Sequence, residues 1–171
     1  GAVNATVAAA VVALARPRPD ERVVNLMCGS GTLLIERLLV APARVAVAVD
    51  RDARAVAAAE ANLRAAGVRQ RVHLLRADIA ADDWLAAGPY DLLLADPPWG
   101  TLVGDHATNE TLYARLLARA RQAAAPGARF AVLTHEIKLM RRCLPGSGWR
   151  AESVTRVFQK GHHPRIYLLR P

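Results

Sequence analysis

Residues 90–100 read Tyr-Asp-Leu-Leu-Leu-Ala-Asp-Pro-Pro-Trp-Gly, an apolar run closed by an acid, two prolines, an aromatic ring and a glycine. A run of this kind is a buried parallel strand ending in a stiff polar loop. The loop offers a carboxylate from Asp96, a carbonyl on Pro97 whose direction Pro98 restricts, and the flat ring of Trp99. Together these suit an exocyclic amine on a nucleobase. Such an amine is a poor nucleophile, because its lone pair is delocalised into the ring. Hydrogen bonds from the NH₂ to Asp96 and to the Pro97 carbonyl favour a pyramidal nitrogen, while Trp99 stacks on a base swung out of its helix. The competing account is a Pro-Pro turn with a core tryptophan.

A second group of residues suits a nucleotide cofactor. A short apolar strand at 22–27 runs into Cys28-Gly29-Ser30-Gly31-Thr32, and a helix follows over 33–39. Glycines let backbone approach a ligand closely, and the helix start presents N–H groups that lack partners. The strand at 45–49 ends on Asp50. That position, about twenty residues beyond the glycines, is where an acid takes a ribose diol. A third strand over 71–77 closes on Asp78, for which a helix cap is the alternative reading.

Helices expected over 3–15, 52–66 and 110–124, with a short basic helix around Lys138, Arg141 and Arg142, alternate with these strands and with another over 128–133. Residues 101–109 read as a polar loop, and Pro126-Gly127 as a helix stop. Two last strands, 153–159 and 166–169, are joined by Lys160-Gly161-His162-His163-Pro164-Arg165, too short a link for anything but an antiparallel hairpin. Right-handed βα crossovers make the fold a Rossmann-like, doubly wound α/β sheet of seven strands, mostly parallel with an antiparallel C-terminal hairpin strand. Strand six enters in the parallel sense. The hairpin therefore lies on the same edge as Asp50, Asp78 and Asp96 and gives it a basic lip, where Arg141, Arg142, Lys160, His162, His163 and Arg165 would meet phosphates.

With 171 residues and 53% hydrophobic content, the chain is expected to form a single domain with a proper core. No uncharged apolar run is long enough to span a bilayer, and the stretch Gly1-Ala2-Val3-Asn4 lacks the basic segment of a secretory signal, so a soluble, cytoplasmic protein without a membrane partner is expected. Cys28 and Cys143 form neither a metal-ligand pattern nor a disulfide framework, and no histidine pair has metal spacing; no metal is expected. A net charge of +8 and a pI near 10.7 suit a phosphate-bearing partner, RNA or DNA, although arginine in an alanine-rich chain also arises from biased codon usage.

Glycine loop, ribose acid, third-strand acid and Asp96-Pro97-Pro98-Trp99, in that order and with a terminal hairpin, resemble the class I S-adenosylmethionine-dependent methyltransferases. Met27-Cys28-Gly29-Ser30-Gly31-Thr32 with Ile35-Glu36 is similar to the catalytic domain of THUMP-containing RNA methyltransferases. Asn4-Ala5-Thr6, Asn109-Glu110-Thr111-Leu112-Tyr113 and His163-Pro164-Arg165-Ile166-Tyr167 look most like the tRNA guanine-N2 methyltransferases that modify the acceptor stem. The resemblance implies S-adenosylmethionine as cofactor, with Gly29, Ser30 and Gly31 at its methionine end, Asp50 on the ribose and Asp78 on the adenine amine. It extends that site to Asn25, Met27, Cys28, Thr32, Arg51, Ile79 and Asp96. It also implies transfer to guanine N2 in tRNA, with adenine N6, rRNA guanine N2 or an inactive cofactor-binding domain as alternatives. The family has an acid and a proline where this chain has Asn25-Leu26, so the charge that anchors the cofactor ammonium is missing. The family's RNA-binding THUMP module is absent from these residues, so the expectation is either an excised catalytic domain, with that module separate or missing, or a chain that docks RNA by other means.

Overall fold

The computed structural model describes residues 3–98 and 106–171. Seven strands, β1 (Arg22–Leu26), β2 (Val45–Asp50), β3 (His73–Arg76), β4 (Tyr90–Ala95), β5 (Ala124–Thr134), β6 (Arg150–Arg156) and β7 (Arg165–Arg170), form one sheet in the order β3-β2-β1-β4-β5-β7-β6. β1 pairs in parallel with β2 and β4, β2 with β3, and β4 with β5, whereas β7 is antiparallel to both β5 and β6. Helices α1 (Ala5–Ala15), α2 (Thr32–Val40) and α3 (Ala53–Ala65) cover one face; α4 (His106–Ala123) and α5 (Ile137–Cys143) cover the other. Two apolar layers result. Val11, Leu34 and Leu63 pack against Val23 and Leu92 on one side, and Tyr113, Leu117 and Met140 pack with Leu93 and Phe130 on the other. The central strands are buried on both faces, which is why they read as unbroken apolar runs.

Several boundaries depart from the expected ones for local reasons. The β6–β7 ladder stops at the Arg156–Arg165 pair and resumes only as an isolated Gln159–His162 bridge. Pro164 has no N–H to donate, so the ladder cannot run unbroken to the turn. At the other end β6 starts at Arg150, ahead of the expected residue 153. Pro126-Gly127 lies inside β5 at a register shift opposite Tyr90 and Leu92, with Gly127 at φ 73°. The exposed bulge absorbs the proline that the sequence presents as a helix stop. α4 begins at His106, so part of the expected polar loop is helical.

Buried arginine organises the edge of the sheet opposite the strand C-termini. Glu21, 4% exposed, accepts from Arg37 Nη2 at 3.1 Å on one carboxylate oxygen and from Arg129 Nη2 at 2.8 Å on the other. Arg37 also donates to the carbonyls of Arg18, Ala41 and Pro42, and Arg129 to those of Ala15, Arg16 and Asp91. One carboxylate thus ties together the ends of α1 and α2 and the start of the paired stretch of β5. Some of the chain's positive charge is consequently structural and unavailable to a partner. Among the described residues no helix is long and apolar enough to cross a membrane.

Candidate active site

The strand order reverses between β1 and β4, whose neighbours run outward in opposite directions, and ligands bind beyond the strand ends at such a switch point. The glycine loop and the Asp96 loop leave from these two strands. Cys28 N donates to Val49 O at 2.9 Å, Gly31 N to Cys28 O at 2.8 Å, and Asn62 Nδ2 to Ser30 O at 3.0 Å, so the loop is held from β2 and α3. Met27 at φ 51°, Gly29 at φ 53° and Gly31 at φ 82° make the chain turn within five residues. Gly31 caps α2 without a side-chain bond, which leaves the N–H groups of the first turn for a ligand. A cleft of about 250 Å³ opens there, lined by Met27, Cys28, Gly29, Ser30, Thr32 and Asp96, with Val3, Leu33 and Ala55 completing it. A larger, open groove runs along α4, lined by Glu110, Thr111, Ala114, Arg115 and Ala118, and includes none of the residues of the glycine loop or Asp96.

Asp50 holds the glycine loop. Its Oδ2 accepts from Gly29 N and its Oδ1 from Asp52 N, both at 2.9 Å. Asp78 Oδ1 accepts from Ala80 N at 2.9 Å, the local turn that an acid after a strand often makes, and Oδ2 lies 3.9 Å from Arg51. Ile79 is in the core, and its carbonyl accepts from Trp84 and Arg119. Asn25 is not among the residues lining the cleft: it is 1% exposed, donates to Leu94 O at 3.2 Å, and has an Oδ1 without a partner among the described residues. Burial and the Asp50 charge push the Cys28 thiol up to about 12, so it stays protonated and is no nucleophile.

Asp96 stands at the end of β4 with its carboxylate facing the cleft and accepting no hydrogen bond from the described residues. Burial pushes its pKa up to about 7. Pro97 is buried and Pro98 half-buried; Trp99, the expected stacking ring, lies outside the described residues, as do Gly104 and Asp105 of the expected polar loop. The loop is braced from behind. Tyr113 of α4 is fully buried, and its hydroxyl donates to Pro98 O at 3.3 Å while lying 2.7 Å from Thr134 Oγ1. Thr134 Oγ1 in turn accepts from Glu136 N at 2.9 Å. Burial, opposed by the Thr134 bond and reinforced by Glu136 and Asp96, raises the Tyr113 phenol, which therefore remains a donor. Sequence reading assigned Tyr113 no role. Its signals are a phenol on an otherwise apolar helix stripe and its place in the Asn109–Tyr113 stretch that carries the resemblance.

This bracing predicts that Tyr113→Phe lowers turnover about 10- to 100-fold, the cost of a slightly misplaced reacting group, and leaves cofactor affinity unchanged. Paired single-turnover and calorimetric measurements check it. A variant that turns over like the wild type would remove Tyr113 from the positioning of the loop.

The hairpin falls where the strand directions put it. Thr134 pairs with Arg165, and Arg165 with Arg156, at the same edge as Asp96. Lys160, His162 and His163 are exposed. His162 packs edge-on against His135 with centroids 5.5 Å apart, and burial and His162 lower the His135 pKa. Arg165 is half-buried and donates to His163 O at 2.8 Å. Burial raises the Tyr167 phenol, opposed by the charges of Arg141 and Arg165, while Arg142 leans toward Glu110 at 3.8 Å. Among the described residues no group of acids, histidines and cysteines could hold a metal ion.

A reversed parallel sheet, a glycine loop between β1 and α2, an acid ending β2 and Asp-Pro-Pro ending β4 define a methyltransferase-type α/β fold. The chain belongs to the RMKL-like methyltransferase domain family (UPF0020), whose model matches residues 1–165. It is 32% identical over 170 residues to a tRNA (guanine(6)-N2)-methyltransferase of Thermus thermophilus, covering 99% of this chain and 50% of that protein. It is 27% identical over 181 residues to the mouse tRNA (guanine(6)-N(2))-methyltransferase THUMP3, covering 98% of this chain and 36% of that one. The crystal structure of TrmN from Thermus thermophilus superposes with a TM-score of 0.87 at 30% identity, over 99% of this chain and 49% of that one. The chain thus spans half or less of the length of these relatives.

Proposed function

We propose that the chain is the catalytic part of an S-adenosylmethionine-dependent RNA methyltransferase that modifies guanine N2 in tRNA. The observation that carries this reading is Asp96: a carboxylate without a hydrogen-bond partner among the described residues, on a proline-stiffened loop at the edge of the glycine-loop cleft. The similarity to enzymes named as tRNA guanine-N2 methyltransferases, over nearly the whole chain, supports the choice of base and RNA.

The residues present fit the cofactor. The N–H groups at the start of α2 suit its carboxylate, Asp50 its ribose diol and Asp78 its adenine amine, and a side chain at Gly29 would project into space that no atom of the described residues approaches within 4 Å. The cofactor supplies an electrophilic methyl on a sulfonium. The protein's part is to accept the amine's hydrogen bonds on Asp96 and the Pro97 carbonyl, to localise the lone pair and to stabilise the positive charge that grows on nitrogen. Positioning and electrostatics provide most of the acceleration. The ammonium product is acidic enough to lose its proton to Asp96 or to water. No further base is required. Incubation with labelled cofactor and bulk tRNA, followed by nucleoside mass spectrometry, tests the reading; label in N2-methylguanosine is expected.

Asp50→Ala should weaken cofactor binding by about 1.5–3 kcal/mol, the range for hydrogen bonds to a charged group. Part of that loss comes through Gly29, whose N–H the carboxylate also holds. Asp50→Asn, which keeps one acceptor oxygen, should lose less. Calorimetry that finds wild-type affinity in both variants would take Asp50 out of the site.

A further inference from the structure

Phe158 is 76% exposed, more than any other large hydrophobic side chain among the described residues. It lies on the β6 side of the hairpin, beyond the last ladder pair, where the chain turns back through Lys160 at φ 43° and Gly161 at φ 81°. Two positive φ values between the bridged Gln159 and His162 make a tight primed turn, so the ring is carried on a short, well-defined arm. Its neighbours fix it further. The His163 ring meets it edge-on with centroids 4.9 Å apart, and the Arg156 guanidinium lies 5.4 Å from its centre. Residues 156–165 contain Arg156, Lys160 and Arg165 and no carboxylate.

An exposed aromatic ring among cations, on the edge that carries Asp96, is the combination by which proteins hold unpaired nucleotides: the ring stacks on a base and the cations track the phosphates. A protein partner would be expected to answer an exposed phenylalanine with apolar surface, but here the surrounding charge is of one sign and complements a polyanion. We infer that Phe158 is a stacking platform for a base of the RNA next to the reacting nucleotide, with Arg156, Lys160 and Arg165 on the adjoining phosphates. The inference rests on the RNA-modifying function proposed above and adds a residue that reads RNA outside the catalytic loop. From β4 to β6 is three strand spacings, roughly 14 Å, so the platform engages a flanking nucleotide and leaves the reacting base to the Asp96 loop.

The test measures binding of tRNA and of a short single-stranded RNA over a salt series by wild type, Phe158→Ala, Phe158→Leu, Phe158→Trp and Lys160→Glu/Arg165→Glu. Phe158→Ala should weaken binding about 5- to 150-fold, the loss of one stacked base, with an unchanged salt slope because no charge is removed. Phe158→Trp should keep the affinity and show quenching of its added fluorescence on binding, whereas the double charge reversal should flatten the slope. Calorimetry with S-adenosylmethionine should give one affinity for all five proteins. Wild-type binding by Phe158→Ala overturns the inference, as does a leucine variant that binds as tightly as the tryptophan one, or a wild type that self-associates through this ring in sedimentation and binds no RNA. Absence of label transfer by a wild type that binds RNA in the expected pattern would count against the proposed reaction and leave the stacking site standing.

Discussion

Asp96→Ala should reduce single-turnover methyl transfer by at least about 10²- to 10³-fold, the range for removing one preorganised electrostatic group, while cofactor affinity stays close to wild type. The carboxylate is assigned to the amine, so its loss belongs in the chemical step. Asp96→Asn keeps the shape and one acceptor oxygen without the charge, and should fall between wild type and alanine. Burial holds the group near pH 7, above the ordinary carboxylate range. The protonated form, which predominates below that value, cannot accept both the hydrogen bond and the growing charge. The rate should therefore rise about tenfold per pH unit below about 7 and level off above it, and Asp96→Asn should lose this limb. A variant that keeps most of the wild-type rate, or a wild-type profile flat from pH 5 to 8, would show that Asp96 does not do this chemistry.

The second large effect is on stability, at the opposite edge of the sheet. Glu21→Gln removes the one carboxylate between the buried guanidiniums of Arg37 and Arg129, whose side chains are 0% and 1% exposed. Breaking a buried ion pair from one side leaves an uncompensated charge in a low-dielectric interior. The expected cost is about 3–5 kcal/mol, or roughly 6–20 °C in Tm for a domain of this size. Denaturant titration gives the value directly. A loss below about 1 kcal/mol would mean that the backbone carbonyls around both arginines carry their charge unaided. Cofactor affinity of the folded fraction should be unaffected, because Asp50 and the glycine loop stand at the other end of the strands.

Much of this molecule could be read from residue order because its chemistry is tied to local signals. A continuous apolar run ending in Asp96-Pro97-Pro98 and a strand entering Gly29-Ser30-Gly31 each specify a strand, its end and the loop beyond it within about ten residues. Parallel crossovers have one hand, so these loops had to share an edge, and the sense of β6 put Lys160 and Arg165 there too. Such inferences need only chain direction and the twist of L-residues.

What residue order left open depends on contacts between distant segments. Tyr113 and Thr134 are separated by a helix and a strand, and only packing brings the hydroxyls together behind Pro98. Glu21, Arg37 and Arg129 look like solvated charges along the chain, yet meet in the interior when the ends of α1, α2 and β5 converge. Asn25, which the resemblance places in the cofactor site, is buried in β1 and donates to Leu94 O, a contact that residue order does not show. Phe158 follows the outward-facing alternation of Val154 and Arg156 along the edge strand and stands 76% exposed. Local propensity sets which elements form and in which direction they run, whereas burial and pairing of side chains far apart in the chain are decided when those elements pack.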